Sequence, residues 1–487
     1  MKKIYAVLSA AMLLLSFTAG AQVLKGSYFF DNSINRNKMN PAFAPRANYL
    51  QLPVMGNTGV GIYSNLDVPT FLYPMNDGLA TFLHPSVSLK QFKRALPAHP
   101  HIDAEVATNL LSFGFYTRQK SFWTFDLSVN TGVDVDLPAD LFMFLKQGTG
   151  TEGESFNIAN VNAYLTASVN AALGYSRNIN ENLRVGAKVR FIAPVAYAAL
   201  NLENMRLTTG KEKWVAETEG YAYTAMQGLN IYTPMGETLP QFEFDDRRFL
   251  QNKVLAGAGF SVDLGAEWRL DIGSIFDGVT VSAALTDLGL VGYKQDAICA
   301  YSTAGRLEWN GLEEVNMDYD FEAAMNEFME DAEGMLNLKQ IQSKKKLTRS
   351  TMPRVYAGVE VPFLWRRMSV GLLYSGRFSH SYYRQELTAS YNIKALKWLS
   401  LGVNYSFLNT ANTLGWLLEL TPKAGVNFHI GGDYLPMAWT PAPILDEMFE
   451  MPAALVQKGH VHPYLPLSYR LNLHFGLSFA LGSKHGR

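Results

Sequence analysis

Arg184, Lys188 and Arg190 stand two and four residues apart on one stretch, and Glu267 and Arg269 stand two apart on another. Alternate residues of an extended chain share a face, so each set projects into one space, where it can pair with opposite charge or hold a polar ligand. Asp126, Asp134, Asp263, Arg354, Glu360, Arg384, Glu386 and Arg470 repeat the pattern elsewhere. The two signs are mixed, which predicts side chains paired across a narrow interior or against a plug, and not a wide ion-selective pore. His99-Pro100-His101 and His460-Val461-His462 offer alternate imidazoles. Neither set has a third ligand at fixed spacing, so no metal is assigned. The chain has no nucleophile elbow, phosphate loop or zinc-hydrolase helix, and no carboxylate pair spaced for acid–base work. Enzyme chemistry is not expected, and no cofactor is called for.

The elements that must position these charges are strands. From Val161 to Tyr175 every second residue is apolar, with Asn162, Tyr164, Thr166, Ser168 and Asn170 between them. After the polar turn Arg177–Asn182, Leu183, Val185, Ala187, Val189 and Phe191 alternate with Arg184, Gly186, Lys188 and Arg190. Each arm keeps its period for about ten residues or more, the length a tilted strand needs to cross a bilayer. Equivalent runs recur from Trp123 to Val135, Ala256 to Trp268 and Val279 to Leu285. They crowd from Val355 to Ile430, and one closes the chain from Leu471 to Phe479. About fourteen strands result, an even number. Every second connection is short, near residues 119, 179, 274, 364, 395 and 423, and the others hold all the long excursions. An up-and-down outer-membrane barrel sorts its loops in this way; a soluble sandwich has no reason to. The expected fold class is therefore all-β, a transmembrane antiparallel barrel of about 14 strands with helix-containing outer loops.

Residues 1–21 read as a signal peptide: Lys2 and Lys3, an apolar run from Ile4 to Phe17, then Ala19-Gly20-Ala21. No later stretch is apolar enough for a spanning helix. The expected location is the outer membrane of a Gram-negative bacterium. Residues 22–47, with two prolines and many asparagines, exclude a regular element, and 48–487 form the barrel. A formal net charge of −1 argues against nucleic acid as a partner. The single cysteine, Cys299, allows no internal disulfide. Pro53 predicts a bulge or a strained start in the first strand. A short helix is expected near Gly78–Leu83, and another after Pro138. Residues 200–253 and 289–351 read as long polar excursions, with helical spacing from Phe321 to Leu336 and a second apolar helix at Ile444–Leu455. Leu141, Phe142, Phe144 and Leu145, with those two segments, belong to outer connections. They either pack together as a lid or form a greasy groove for a lipid-like ligand.

Asn40-Pro41-Ala42 before the first strand, Leu137-Pro138-Ala139-Asp140-Leu141-Phe142, the run Ala172–Lys188 and Leu285-Thr286-Asp287-Leu288-Gly289 complete the pattern. In these the chain resembles the FadL-type long-chain fatty-acid transporter superfamily, and more closely its Bacteroidota outer-membrane members related to PorV. The resemblance implies a fourteen-stranded barrel whose N-terminal segment enters the lumen as a hatch, with Ser27–Phe43 inside and Asn40, Pro41 and Ala42 at its base. It implies passage of hydrophobic small molecules; the PorV branch implies instead a scaffold in a secretion or cell-surface complex. Binding is assigned to Asn40, Pro41, Ala42, Arg184, Lys188, Arg190, Glu267 and Arg269. The partners expected are outer-membrane lipid, the barrel-assembly machinery, and either a hydrophobic small molecule or a surface protein. Many barrels end in an aromatic residue, whereas this chain runs past Phe479 to Arg487, so an internal assembly signal is expected.

Overall fold

The computed structural model describes residues 24–481 except Asn32 and the stretches 54–55, 76–77, 118–119, 148–154, 158–159, 209–213, 233–240, 246–253, 272–277, 310–337, 342–346, 380–381, 409–411, 423–424, 436–438, 442–463 and 467–469. The expected signal peptide, the helical patterns at 321–336 and 444–455, and His460 and His462 lie outside the described residues.

The alternation becomes a closed ring of fourteen antiparallel staves. They are β1 (Asn48–Gln51 with Thr58–Ser64), β2 (His101–Thr117), β3 (Ser121–Asp136), β4 (Val161–Asn178), β5 (Leu183–Thr208), β6 (Gly257–Leu270) and β7 (Val279–Tyr293). The second half comprises β8 (Arg354–Phe363), β9 (Met368–Phe378), β10 (Tyr383–Leu396), β11 (Leu399–Leu408), β12 (Asn412–Leu420), β13 (Val426–Leu435) and β14 (Arg470–Leu481). Each pairs with its neighbours in sequence, and β14 closes the ring on β1 through Asn48↔Leu481 and Thr58↔Phe475. Closure pairs every backbone donor and acceptor without leaving an edge, the condition for a sheet in hydrocarbon. The expected break in the first strand falls at 52–57, around Pro53.

The two faces are sorted as the period demands. Outward side chains are apolar and uncovered, among them Val189 (56%), Phe260 (57%) and Leu264 (51%). Inward side chains are polar and buried, among them Asp103, Asp263, Glu386 and Arg470. A soluble protein buries its apolar face and wets its polar one; the inversion here belongs to a barrel whose solvent is lipid. Trp268 and Trp398 lie on the outer face near strand ends, where interfacial aromatics belong.

The parity of the connections holds. Turns at 118–120, 179–182, 271–278, 364–367, 397–398 and 421–425 share one rim, here the short-turn rim. The opposite rim carries the long connections and also two brief ones, 379–382 and 409–411. The two long stretches expected to be polar excursions, 200–253 and 289–351, contain more strand than their composition predicts. β5 runs on to Thr208, Trp214–Met226 pairs with it, and Ile298–Trp309 and then Leu338–Ile341 add to the same sheet. The wall between β5 and β8 therefore rises beyond the rest of the rim. Residues 78–83 are also not helical: Leu72–Met75 and Gly78–Thr81 form a small hairpin. Two consecutive apolar residues, Leu79 and Ala80, read equally well as one turn of helix or as a strand. Pro138 does precede a helix, Ala139–Gln147.

Candidate functional site

The N-terminal segment lies inside the ring. From Leu24 to Pro45 its described residues are buried or half-buried, although the segment is rich in asparagine. It is held at several heights. The backbone N–H groups of Lys25 and Gly26 donate to the Asp433 carboxylate at 2.7 and 2.8 Å, and the Lys25 ammonium meets Glu386 and the Tyr434 hydroxyl. Tyr28 Oη lies 3.0 Å from Ser282 Oγ. Asn35 Nδ2 lies 2.8 Å from His429 Nε2. Asp31 gathers Arg36 (3.0 Å), Arg46 (2.9 Å) and Lys394 of β10 (3.5 Å). Between these polar ties Tyr28, Phe29, Met39 and Phe43 pack with Tyr356 and Leu373 of the wall. Polar side chains of a luminal face thus meet both hydrogen-bonding and apolar partners on one irregular peptide.

The Asn40-Pro41-Ala42 triplet has a specific seat near the short-turn rim. Asn40 Nδ2 donates to the carbonyls of Ala266 (3.1 Å) and Ala283 (3.3 Å), and Asn40 Oδ1 accepts from the Ala42 N–H at 2.9 Å. One amide side chain therefore closes its own turn and bridges β6 to β7. Gly186 and Gly265 face each other across β5 and β6. A Cβ at Gly186 would strike the Pro41 carbonyl, and one at Gly265 would strike Asn40 Oδ1. The wall is hollowed at the register pair where the triplet docks.

The assigned charges separate into two groups. Lys188 pairs with Asp126 at 3.0 Å, and Arg190 pairs with Asp263 at 2.9 Å and with Asp287. Both line a luminal cavity of about 300 Å³ beside the N-terminal segment. Arg184, Glu267 and Arg269 do not reach it. Arg184 donates to Asn178 (2.9 Å) and Ser176 (3.0 Å) near the short-turn rim, with its register partner Glu267 3.6 Å from Arg269. Asn40, Pro41 and Ala42 do not line the cavity either, and their segment meets it through Leu24, Asn35 and Lys38.

Above the cavity a set of ion pairs crosses the lumen. Asp103 of β2 meets Arg377 of β9 at 3.2 Å and Arg384 of β10 at 2.7 Å, and accepts from Tyr382 Oη at 2.9 Å. Glu105 meets Arg354 of β8 at 3.0 Å and also Arg377. In a ring of fourteen, β2 and β9 are diametrically opposed, so these pairs bridge the full width of the barrel. Arg354 and Arg384 were expected to face the lumen; Asp103, Glu105, Asp287 and Arg377 were not singled out. Asp103-Ala104-Glu105 does carry the period of two, but it lies in the first turns of β2, ahead of the clear run at Leu111–Phe115.

The outer apolar residues pack together. Phe142 stacks obliquely on Phe71 at 5.6 Å, and Phe142 and Met143 lie against a cluster of Tyr73, Val87 and Phe92. Phe144 is buried, Leu141 is half-buried, and Leu145 stays exposed. Of the two expectations for this region, the described residues show a lid core between the β1–β2 and β3–β4 connections. His101 is buried, stacked on Tyr382 at 3.9 Å and on Tyr63 at 5.3 Å. No cluster of metal-ligating side chains occurs among the described residues.

Residues 41–433 match the family described as "Family of unknown function (DUF5723)", and the chain belongs to that family. No curated protein is significantly similar to it. Among solved structures, the toluene transporter TbuX of Ralstonia pickettii aligns over 96% of this chain and 97% of its own, with 9% identity and a TM-score of 0.41. The toluene transporter TodX of Pseudomonas putida aligns over 96% of each chain, with 10% identity and a TM-score of 0.39. A Pseudomonas aeruginosa FadL homologue covers 95% and 98%, with 10% identity and a TM-score of 0.37. At such values the functional reading has to come from this chain's own residues.

Proposed function

We propose that this member of the DUF5723 family is an outer-membrane transport barrel for small, largely apolar molecules, with the N-terminal segment as its hatch. The observation that carries the reading is the placement of that segment. It runs through the lumen from Lys25, held by Glu386 and Asp433 near the long-connection rim, to Asn40 near the short-turn rim, and it rests on the wall through discrete contacts at Lys25, Asp31 and Asn40. No strand pairing ties it to the wall among the described residues. A segment seated this way can leave without opening the sheet. By the barrel rule the short-turn rim faces the periplasm, so the hatch guards the inner exit and the lid core the outer entrance. A cavity between two closures is the arrangement of a gated path.

A role as scaffold in a secretion or surface complex is the second reading. It is favoured by the wall that rises beyond the rim between β5 and β8, a surface larger than a pore requires. Uptake separates the two. A Gram-negative host expressing the chain in its outer membrane should accumulate a hydrophobic fluorescent dye several-fold faster than a host carrying an empty vector. An unchanged rate, together with a protein partner retained on mild extraction, would favour the scaffold.

A further inference from the structure

The luminal cavity has an uneven lining. One side carries aromatic and aliphatic groups, with the rings of Tyr197 and Tyr293 4.8 Å apart and Ile192 and Pro194 beside them. The other carries amides and hydroxyls of β2, β3 and β4 and the top of the N-terminal segment. Three buried groups of the lining, on β4, the N-terminal segment and β14, present an atom without a hydrogen-bond partner among the described residues. They are Asn170 Oδ1, Asn35 Oδ1 and His474 Nε2, on residues 5%, 3% and 1% exposed. Leaving buried polar atoms unmet is costly, so a ligand that satisfies them gains both the bonds and their desolvation.

The charges at the cavity do not call for an ion. Lys188, Arg190, Arg354 and Arg377 are each held by a carboxylate. Lys38 donates to Asn109 Oδ1 at 2.9 Å. The lining carries four acidic and six basic side chains, and Asp103 and Asp263, outside it, pair with Arg377 and Arg190. An anion drawn to Lys188, Arg190, Arg354 or Arg377 would have to displace an existing pair, at the cost of a buried charge, which leaves Lys38 and Arg349 as the lining cations without a carboxylate among the described residues.

Resting on the transport reading above, we propose that the cavity takes an uncharged amphiphile, an apolar or aromatic body bearing hydroxyl or amide groups. The body lies along Tyr197 and Tyr293, and the polar groups meet Asn170, Asn35 and His474. A pure hydrocarbon leaves those atoms unmet, and a carboxylate finds four of the six lining cations already paired.

Three probes share one ring and differ in polarity: phenyl β-glucoside, benzoate and toluene. Their binding to the full chain in lipid nanodiscs is measured directly, without transport. Phenyl glucoside is expected to bind at least several-fold tighter than the other two. Asn170→Ala and His474→Phe should each weaken it about tenfold, the loss of one net hydrogen bond, and His474→Asn should restore part of the affinity. Trp365→Ala, on an exposed short-turn loop, should leave binding unchanged. A heat-modifiable gel shift shows that each variant is folded. Preference for benzoate, equal binding of toluene, no binding of any probe, or glucoside binding indifferent to Asn170 and His474 would each overturn the assignment. Toluene binding alongside dye uptake would overturn only the polar class of the cargo; absent uptake would overturn the transport reading itself.

Discussion

Asp103 is the residue on which most of the cross-lumen pairing converges, with two guanidinium groups and a phenol around a carboxylate that is 0% exposed. It stands with Glu105 ahead of Leu111, in a stretch where no strand was read from the sequence, and its partners were not legible either. Arg377 is 274 positions away, and a period of two says which face a side chain occupies without saying what stands across the barrel. The Asn40 triplet shows the complementary limit. Its presence before the first strand marked a hatch base through resemblance alone. The physical cause, a facing pair of glycines in β5 and β6, could be seen only once the register was known. Asp103→Ala should strand Arg384 without its carboxylate and leave Arg377 with Glu105. Breaking a buried pair from one side costs about 3 kcal/mol, which would appear as a lowered urea midpoint of the purified barrel. A double-mutant cycle with Arg384→Ala should recover a coupling of about 1 kcal/mol or more. Additive effects would mean that the two side chains do not depend on each other.

At the scale of elements, the strands were readable wherever one face met lipid and the other the lumen, because that contrast is what the period records. The raised wall was missed because both faces of β5 beyond Ala199 and of Trp214–Met226 carry polar residues. Strands with no apolar face have no alternation to detect. The N-terminal segment was expected to hold no regular element, yet Lys25–Ser27 and Ile34–Lys38 form short 3₁₀ helices, and Tyr28, Phe29 and Phe30 gave no period that would send them to particular wall positions. They instead find hollows at Gly358, Gly371 and Gly402. The lid follows from ordinary core packing: Phe92 is fully buried, stacked on Phe82 at 4.7 Å. Phe92→Ala should remove roughly 3–5 kcal/mol of local packing. Limited proteolysis should then cut the β1–β2 connection near residues 82–95 many times faster, while the barrel keeps its heat-modifiable shift. Cleavage at the wild-type rate would show that the cluster does not hold the lid down.

For the whole molecule, inversion of the faces is the organising fact. Lumen charges are paired because water is scarce there, and outward apolar side chains are exposed because lipid covers them. Leu264, on the outer face near the middle of β6, tests this. Leu264→Arg should cost about 2–4 kcal/mol on folding into lipid vesicles, the penalty for a cation near the bilayer midplane. A soluble barrel would absorb the same change on an exposed position with almost no loss. Of the two closures proposed for this barrel, the N-terminal segment is the one with no strand pairing to the wall among the described residues.

The most direct measurement is the conductance of single molecules in a planar bilayer, comparing the full chain with a variant lacking residues 24–46. The full chain should stay closed apart from brief openings, and the shortened chain should hold a steady open channel, still narrowed by the Asp103–Arg377 crossing. Equal conductance of the two would contradict the hatch, and with it the account of how this barrel is shut.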